Sequence, residues 1–246
     1  MKKILISLPV YNEARLLKRA VNSILEQTYS NFTLIIINDG STDNSLQESQ
    51  KFLIDPRVIV LNNETNCGAY YTKNVGFKYM ESGDYDIYTV HDADDFSQPK
   101  RFEKVVAAFE SDDKIVGVQD LVVRFGEPAP KWHSEPYEAF PNIAHAFYNK
   151  KIFNALGYYD NYPFNADEEY FKRTLAFCTK NLYRNFTLNE VLYYAEITDD
   201  NMILKYGEEL RNPYRNKFAE EIQQMQGFNN FYRPFFEKVD IKKWEF

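Results

Sequence analysis

His91-Asp92-Ala93-Asp94-Asp95 follows directly on the apolar run 85–90 (YDIYTV). Carboxylates in an Asp-x-Asp-Asp pattern at a strand end offer hard oxygen ligands, which suit Mg²⁺ or Mn²⁺ shared with substrate phosphates. In open α/β sheets, ligands bind outside the carboxyl ends of the strands, so the segment is a candidate diphosphate-metal site. The same residues also make good turn and helix-cap chemistry. What the other strand ends carry gives the motif its weight.

Strand-like runs are expected at 4–8, 32–37, 58–61, 85–90 and 115–118, with helix-period segments between them at 14–27, 43–53, 69–80 and 101–110. This βαβα alternation implies an α/β fold with a mostly parallel sheet flanked by helices. Parallel strands bring their following loops to one edge. Those loops read Pro9-Val10-Tyr11-Asn12-Glu13, Asn38-Asp39-Gly40-Ser41-Thr42-Asp43, Asn66-Cys67-Gly68 with Lys73-Asn74-Val75-Gly76 in the next helix, and the Asp cluster. Each alone reads as a turn or cap. Their convergence points to a ligand site.

These elements resemble family 2 glycosyltransferases of the GT-A fold: P-V-Y-N-E, I-I-I-N-D-G-S-T-D-N-S, N-C-G-A-Y-Y-T-K-N-V-G and H-D-A-D-D-F-S-Q-P-K-R-F, in that order. The likeness continues, less sharply, into G-Y-Y-D and A-D-E-E-Y-F-K-R at 157–173, and covers roughly residues 1–195. It implies a nucleoside diphosphate sugar donor, with uridine favoured, whose base and phosphates contact Pro9, Tyr11, Glu13, Asp39, Asn66, Gly68 and Lys73. It further implies Asp92 at the ribose or sugar and Asp94 at a divalent Mn²⁺ or Mg²⁺, with Asp95 either the family's following acid or a helix cap. Lys73 stands where many relatives carry Arg, and a Lys acts as a point charge without the bidentate fork. Asp167 is expected as the general base, with Glu168, Glu169 and Arg173 supporting it on the acceptor side. Ala166 replaces the first acid of the commoner pair.

The chain divides on pattern into a nucleotide-sugar-binding half at 1–119, an acceptor-binding and catalytic-base half of the same domain at 120–205, and an aromatic, helical tail at 206–246 with a helix expected at 217–226. Another strand is expected at 121–125. The stretch 126–141 is Pro-rich and carries Trp132 and His133, which suits a loop over a surface. Helical pattern returns at 150–156 and 167–179, and a strand at 190–195. Trp132, Tyr137, Phe140 and Tyr148 could stack on a glycan or simply pack.

With 246 residues and a net charge of −7, the chain is large enough for a full core and lacks the basic field of nucleic-acid binders. Cys67 and Cys178 have no metal or disulfide-framework spacing. No apolar stretch reaches the ~18 residues needed to span a bilayer. The expected location is cytoplasmic, with at most peripheral membrane contact. The expected acceptor is a glycan or a lipid- or protein-linked hydroxyl. Two other classes compete: a non-catalytic sugar-nucleotide or glycan-binding module with the same fold, and a nucleotidyltransferase. The latter normally carries a Gly-rich basic loop after the first strand, and PVYNEA has no glycine.

Overall fold

Strand β1 (Ile4–Val10) sends Ile4, Ile6, Leu8 and Val10 to one face of the sheet and Leu5 to the other, and both sets are buried. Burial on two faces explains why its sequence, like FTLIIIND in β2 (Phe32–Asp39), is a nearly continuous apolar run. Helix α1 (Leu17–Leu25) covers the first face with Leu17, Ala20, Val21 and Ile24, the i, i+3, i+4, i+7 stripe of an amphipathic helix. The computed structural model describes residues 1–81, 83–126, 138–160, 162, 164–197, 217, 219–223 and 231–234. Trp132, His133, Tyr137 and most of the expected tail therefore lie outside the described residues, although 217 and 219–223 are helical.

The chain continues through α2 (Ser45–Gln50), β3 (Val58–Asn63), α3 (Ala69–Phe77), β4 (Ile87–Val90), β5 (Phe96–Ser97), α4 (Arg101–Ser111), β6 (Ile115–Phe125), β7 (Phe140–Pro141), β8 (Phe147–Asn149), α5 (Lys150–Leu156), α6 (Ala166–Asn181) and β9 (Arg184–Glu196). The sheet order is β3-β2-β1-β4-β8-β6-β9-β5, with β7 on β6. Strands β1 to β4 are mutually parallel where they pair, while β8 runs antiparallel to both β4 and β6. The α/β fold with a mostly parallel, helix-flanked sheet is as the sequence implies.

Two boundaries differ from expectation for a physical reason. The runs 115–118 and 121–125 form one strand, because the intervening Gln119 and Asp120 are buried with partners: Gln119 donates to Thr187 Oγ1 (2.9 Å) and Asp120 pairs with Arg101 (2.5 Å). The last strand runs from Arg184 rather than 190, since β6 offers it a parallel ladder along its whole length. On the opposite face α3 packs very close to β1. A Cβ at Gly76 would lie 2.2 Å from Ser7 Oγ, so only glycine allows that approach.

Candidate active site

The loops after β1, β2 and β3 are tied to one another by hydrogen bonds. Asn12, in the left-handed region at φ 56°, accepts from the Thr42 N–H (2.8 Å) and donates its own N–H to Ser41 Oγ (3.1 Å), while the Glu13 N–H reaches Ser45 Oγ (2.9 Å). Gly40 permits the next contact, because a Cβ there would sit 2.4 Å from the Thr65 carbonyl carbon. Asp39 then joins β2 to the third loop. Its Oδ1 accepts from Asn63 (2.8 Å) and the Cys67 N–H (2.9 Å), and Oδ2 accepts from the Gly68 N–H (3.0 Å). A carboxylate has about four lone-pair sites, so among the described residues one on Oδ2 is left for an incoming N–H. Asn66 Oδ1 shares the Gly68 N–H (2.9 Å). Pro9 is half-buried and Tyr11 exposed beside these loops.

At the end of β4, Asp92 is gripped from two sides. Lys73 Nζ of α3 lies 3.0 Å from Oδ1, and His145 Nε2, just ahead of β8, lies 3.0 Å from Oδ2. Burial opposes ionisation of Asp92, but the Lys73 ammonium beside it favours the charged form, and the carboxyl is held well below its ordinary range. Burial likewise works against the Lys73 charge, yet Asp92 and Asp167 keep its pKa above normal. The Asp92 N–H donates to Tyr193 Oη (3.2 Å), and the Tyr193 ring stacks on His145 at 4.3 Å.

Asp94 and Asp95 stand in a crowd of like charge. Burial, then Asp92 and Glu13, push Asp94 up to about 7, and burial with Asp94 and Asp92 raises Asp95 well above normal. A divalent cation would relieve this repulsion, so the donor set fits such an ion. Among the described residues, the side chains whose ligand atoms all lie within 4.8 Å of one another are Asp92, Asp95 and His145. Asp94 is next to this group and not in it. Arg19 of α1 donates to the Asp94 carbonyl and pairs with Glu196 at the end of β9 (2.5 Å). Asp95 does not cap α4, whose N-cap is Lys100; its Oδ1 accepts from the Glu196 N–H (3.0 Å).

The start of α6 faces the same edge. Asp167 Oδ1 accepts from Tyr70 Oη of α3 (2.9 Å) and from the Glu168 N–H (2.9 Å), and no hydrogen bond reaches Oδ2 among the described residues. Tyr70 and Lys73 are neighbours on one helix face, at i and i+3, so α3 reaches Asp167 with one side chain and Asp92 with the other. Glu168 pairs instead with Lys172 (2.8 Å).

Glu169 and Arg173 are placed elsewhere than an acceptor surface requires. Both are 0% exposed, ion-paired at 2.9 Å, and Arg173 also donates to the carbonyls of Leu156 (2.6 Å), Tyr158 (2.9 Å) and Phe231 (3.0 Å). They fasten α6 to the segment after α5. Tyr148 is likewise core, 1% exposed, and is not a glycan platform.

Several residues of this site escaped the sequence reading. Tyr70 lies inside one of the quoted motifs with no role assigned to it there, Tyr193 stands outside them, and His145 has no ligand spacing to any neighbour in the chain. Only folding brings them to Asp92 and Asp167.

The sequence family described as Glycosyl transferase family 2 matches residues 6–191. The chain belongs to that family. Among curated relatives, an uncharacterized glycosyltransferase of Haemophilus influenzae is 35% identical over 109 residues, which is 44% of this chain and 33% of that protein. Glycosyltransferase GlyG of Streptococcus pneumoniae is 37% identical over 106 residues, 43% of this chain and 34% of the relative. The chain thus spans about a third of the length of these curated relatives. Among solved structures, S. aureus TarS residues 1–349 in complex with UDP aligns at TM-score 0.60 and 18% identity over 80% of this chain and 61% of that one. Mannosyltransferase PcManGT from Pyrobaculum calidifontis, in complex with GDP-Man and Mn2+, aligns at TM-score 0.62 and 15% identity over 81% and 58%. These likenesses establish the GT-A fold. No helix among the described residues is long and apolar enough to cross a membrane.

Proposed function

We propose that the chain is an inverting, divalent-metal-dependent glycosyltransferase that moves one sugar from a nucleoside diphosphate donor to an acceptor hydroxyl, with uridine the favoured base. One observation carries the reading: Asp92 and Asp167, from opposite halves of the chain, are joined through a single turn of α3 by Lys73 (3.0 Å) and Tyr70 (2.9 Å). A donor-side acid and a candidate base are thereby held at the same sheet edge. The two neighbours solved with UDP and with GDP-Man and Mn2+ support a nucleotide-bound partner for this fold.

In this reading Pro9, Tyr11 and Glu13 border the base, and the remaining lone pair of Asp39 Oδ2 accepts a ring N–H. Asn66 and Gly68 shape the loop beside it, and Lys73 offers a positive charge to the diphosphate. Asp92 meets the ribose or sugar. Asp94, with the carboxylates of Asp92 and Asp95 beside it, would hold the ion. When bound, the ion neutralises charge on the departing diphosphate, a contribution of several kcal/mol. Asp167 takes the proton of the acceptor hydroxyl as that oxygen attacks the anomeric carbon from the face opposite the leaving group. A carboxylate within about 3 Å makes an otherwise poor nucleophile competent, and a single in-line displacement inverts the centre. The acceptor class is a glycan or a lipid- or protein-linked hydroxyl.

The test is a panel of UDP-, GDP- and dTDP-sugars with Mn²⁺, read first by thermal shift and then by NMR of the transferred sugar's anomeric configuration. Stabilisation by uridine nucleotides and an inverted product are expected. Stabilisation by guanosine or thymidine nucleotides alone would remove the uracil assignment, and a retained configuration would remove Asp167 as base in a single displacement.

A further inference from the structure

The hydrogen bonds behind His145 reveal which of its ring nitrogens carries a proton. Asp120, paired with buried Arg101, accepts from Asn142 Nδ2 (3.1 Å), and the His145 backbone N–H donates to Asn142 Oδ1 (3.3 Å). A carboxylate so paired only accepts and a peptide N–H only donates, so the two contacts independently orient the amide with Oδ1 as acceptor. His145 Nδ1 lies 3.0 Å from that same oxygen and therefore carries the proton. In a neutral imidazole the lone pair is then on Nε2, which faces Asp92 Oδ2 at 3.0 Å.

Two acceptors thus meet with no proton to share. That is the arrangement of two ligands around one cation, and a metal-binding histidine characteristically has its other ring N–H fixed by a hydrogen bond. Nothing comparable holds for His91, whose Nδ1 lies 2.9 Å from the Asp92 carbonyl and whose Nε2 lies 3.1 Å from Ser97 Oγ.

We propose that His145 Nε2 is a nitrogen ligand of the divalent ion, alongside Asp92 and Asp95, with the Asp120–Asn142 pair setting its tautomer. The proposal rests on the reading above that a divalent ion binds at this edge. It goes beyond the Asp-x-Asp motif because it brings a nitrogen donor to the site from the far half of the chain. A nitrogen ligand turns the preference from Mg²⁺, which favours oxygen, toward Mn²⁺ and Co²⁺.

The experiment is pulsed electron paramagnetic resonance of Mn²⁺ bound to the full chain in the presence of UDP. Nitrogen modulation of the electron spin echo is expected in the wild type, with its pattern changed when histidine is labelled with ¹⁵N, and it should be lost in His145→Gln. The Mn²⁺ dissociation constant should rise at least about 10-fold in that variant and the preference for Mn²⁺ over Mg²⁺ should shrink. The labelling arm uses unmutated protein and stands even if the variant folds poorly. If Mn²⁺ binds without nitrogen modulation, or His145→Gln retains it, His145 is not a ligand and the metal reading survives. If wild type with UDP binds no Mn²⁺, the metal reading itself falls, and this proposal with it.

Discussion

Asp92 and Asp167 are both acids at one sheet edge, yet they are held in opposite ways. Asp92 is contacted through both carboxylate oxygens, by Lys73 and His145, and behind His145 stands a buried chain through Asn142 to Asp120 and Arg101. Asp167 has one phenol and its neighbour's N–H on a single oxygen, and among the described residues no hydrogen bond reaches Oδ2, the oxygen that the proposed general base would use. A group that must bind charge in fixed geometry gains from being held rigidly, whereas one that must take a proton needs an oxygen to spare. The same contrast recurs two residues along α6. Glu169 is 0% exposed and committed to Arg173, so it serves the fold as Asp167 serves the edge.

The widest break in that comparison should come from Asp94→Asn. Metal-dependent transfer is expected to fall by at least about three orders of magnitude, in keeping with the several kcal/mol that charge neutralisation supplies, while the fold survives. Steady-state rates with and without Mn²⁺ check this, and full Mn²⁺-dependent activity would take Asp94 out of the site. The same variant has a pH signature. Because the fold raises the Asp94 carboxyl to about 7, its protonated form is favoured in the native state. The resulting stability is present below the ordinary carboxylate range and is lost as pH rises toward about 7. The difference in unfolding free energy between wild type and Asp94→Asn should therefore change by a few kcal/mol between about pH 4 and about pH 7 and then level off. Urea melts across that range would show a flat difference if Asp94 titrates normally.

Asp167→Asn should lower turnover by about 10²- to 10⁴-fold while donor affinity, measured by calorimetry with UDP, stays within a few-fold. Near-normal turnover in that variant, with Glu168→Gln inactive, would move the base by one residue. Glu169→Gln should instead show its effect in stability, at about 3–5 kcal/mol, because it leaves the Arg173 guanidinium buried without its counter-charge. Equilibrium denaturation measures this, and a variant as stable as wild type would contradict a structural role. Tyr70→Phe is expected to have the smallest effect. Losing one hydrogen bond to a charged group costs about 1.5–3 kcal/mol at most, seen as a decrease in kcat with the donor KM unchanged. A change confined to donor KM would place Tyr70 on the wrong side of the comparison.

Much of the first half was legible because its information is local. Continuous apolar runs announced strands covered on both faces, and parallel order alone placed Pro9, Asp39, Gly68 and Asp92 at a common edge. The second half was less legible. The buried polar pair Gln119-Asp120 looks like a break in a strand until Arg101 and Thr187 are seen to satisfy it. Glu169 and Arg173 read as acceptor-side support until the carbonyls of Leu156, Tyr158 and Phe231 close around the guanidinium.

The sequence by itself determined the α/β class, the order of the strand-end loops, the clustering of Asp92, Asp94 and Asp95, and the family likeness, because each is written in the periodicity or adjacency of neighbouring residues. The tertiary structure alone decided that Lys73 and His145, 72 positions apart in the chain, share the two oxygens of Asp92, and that Tyr70 reaches Asp167. Hydrogen-bond and ion-pair geometry depends on distances of a few ångströms between segments remote in sequence, and no local pattern encodes them.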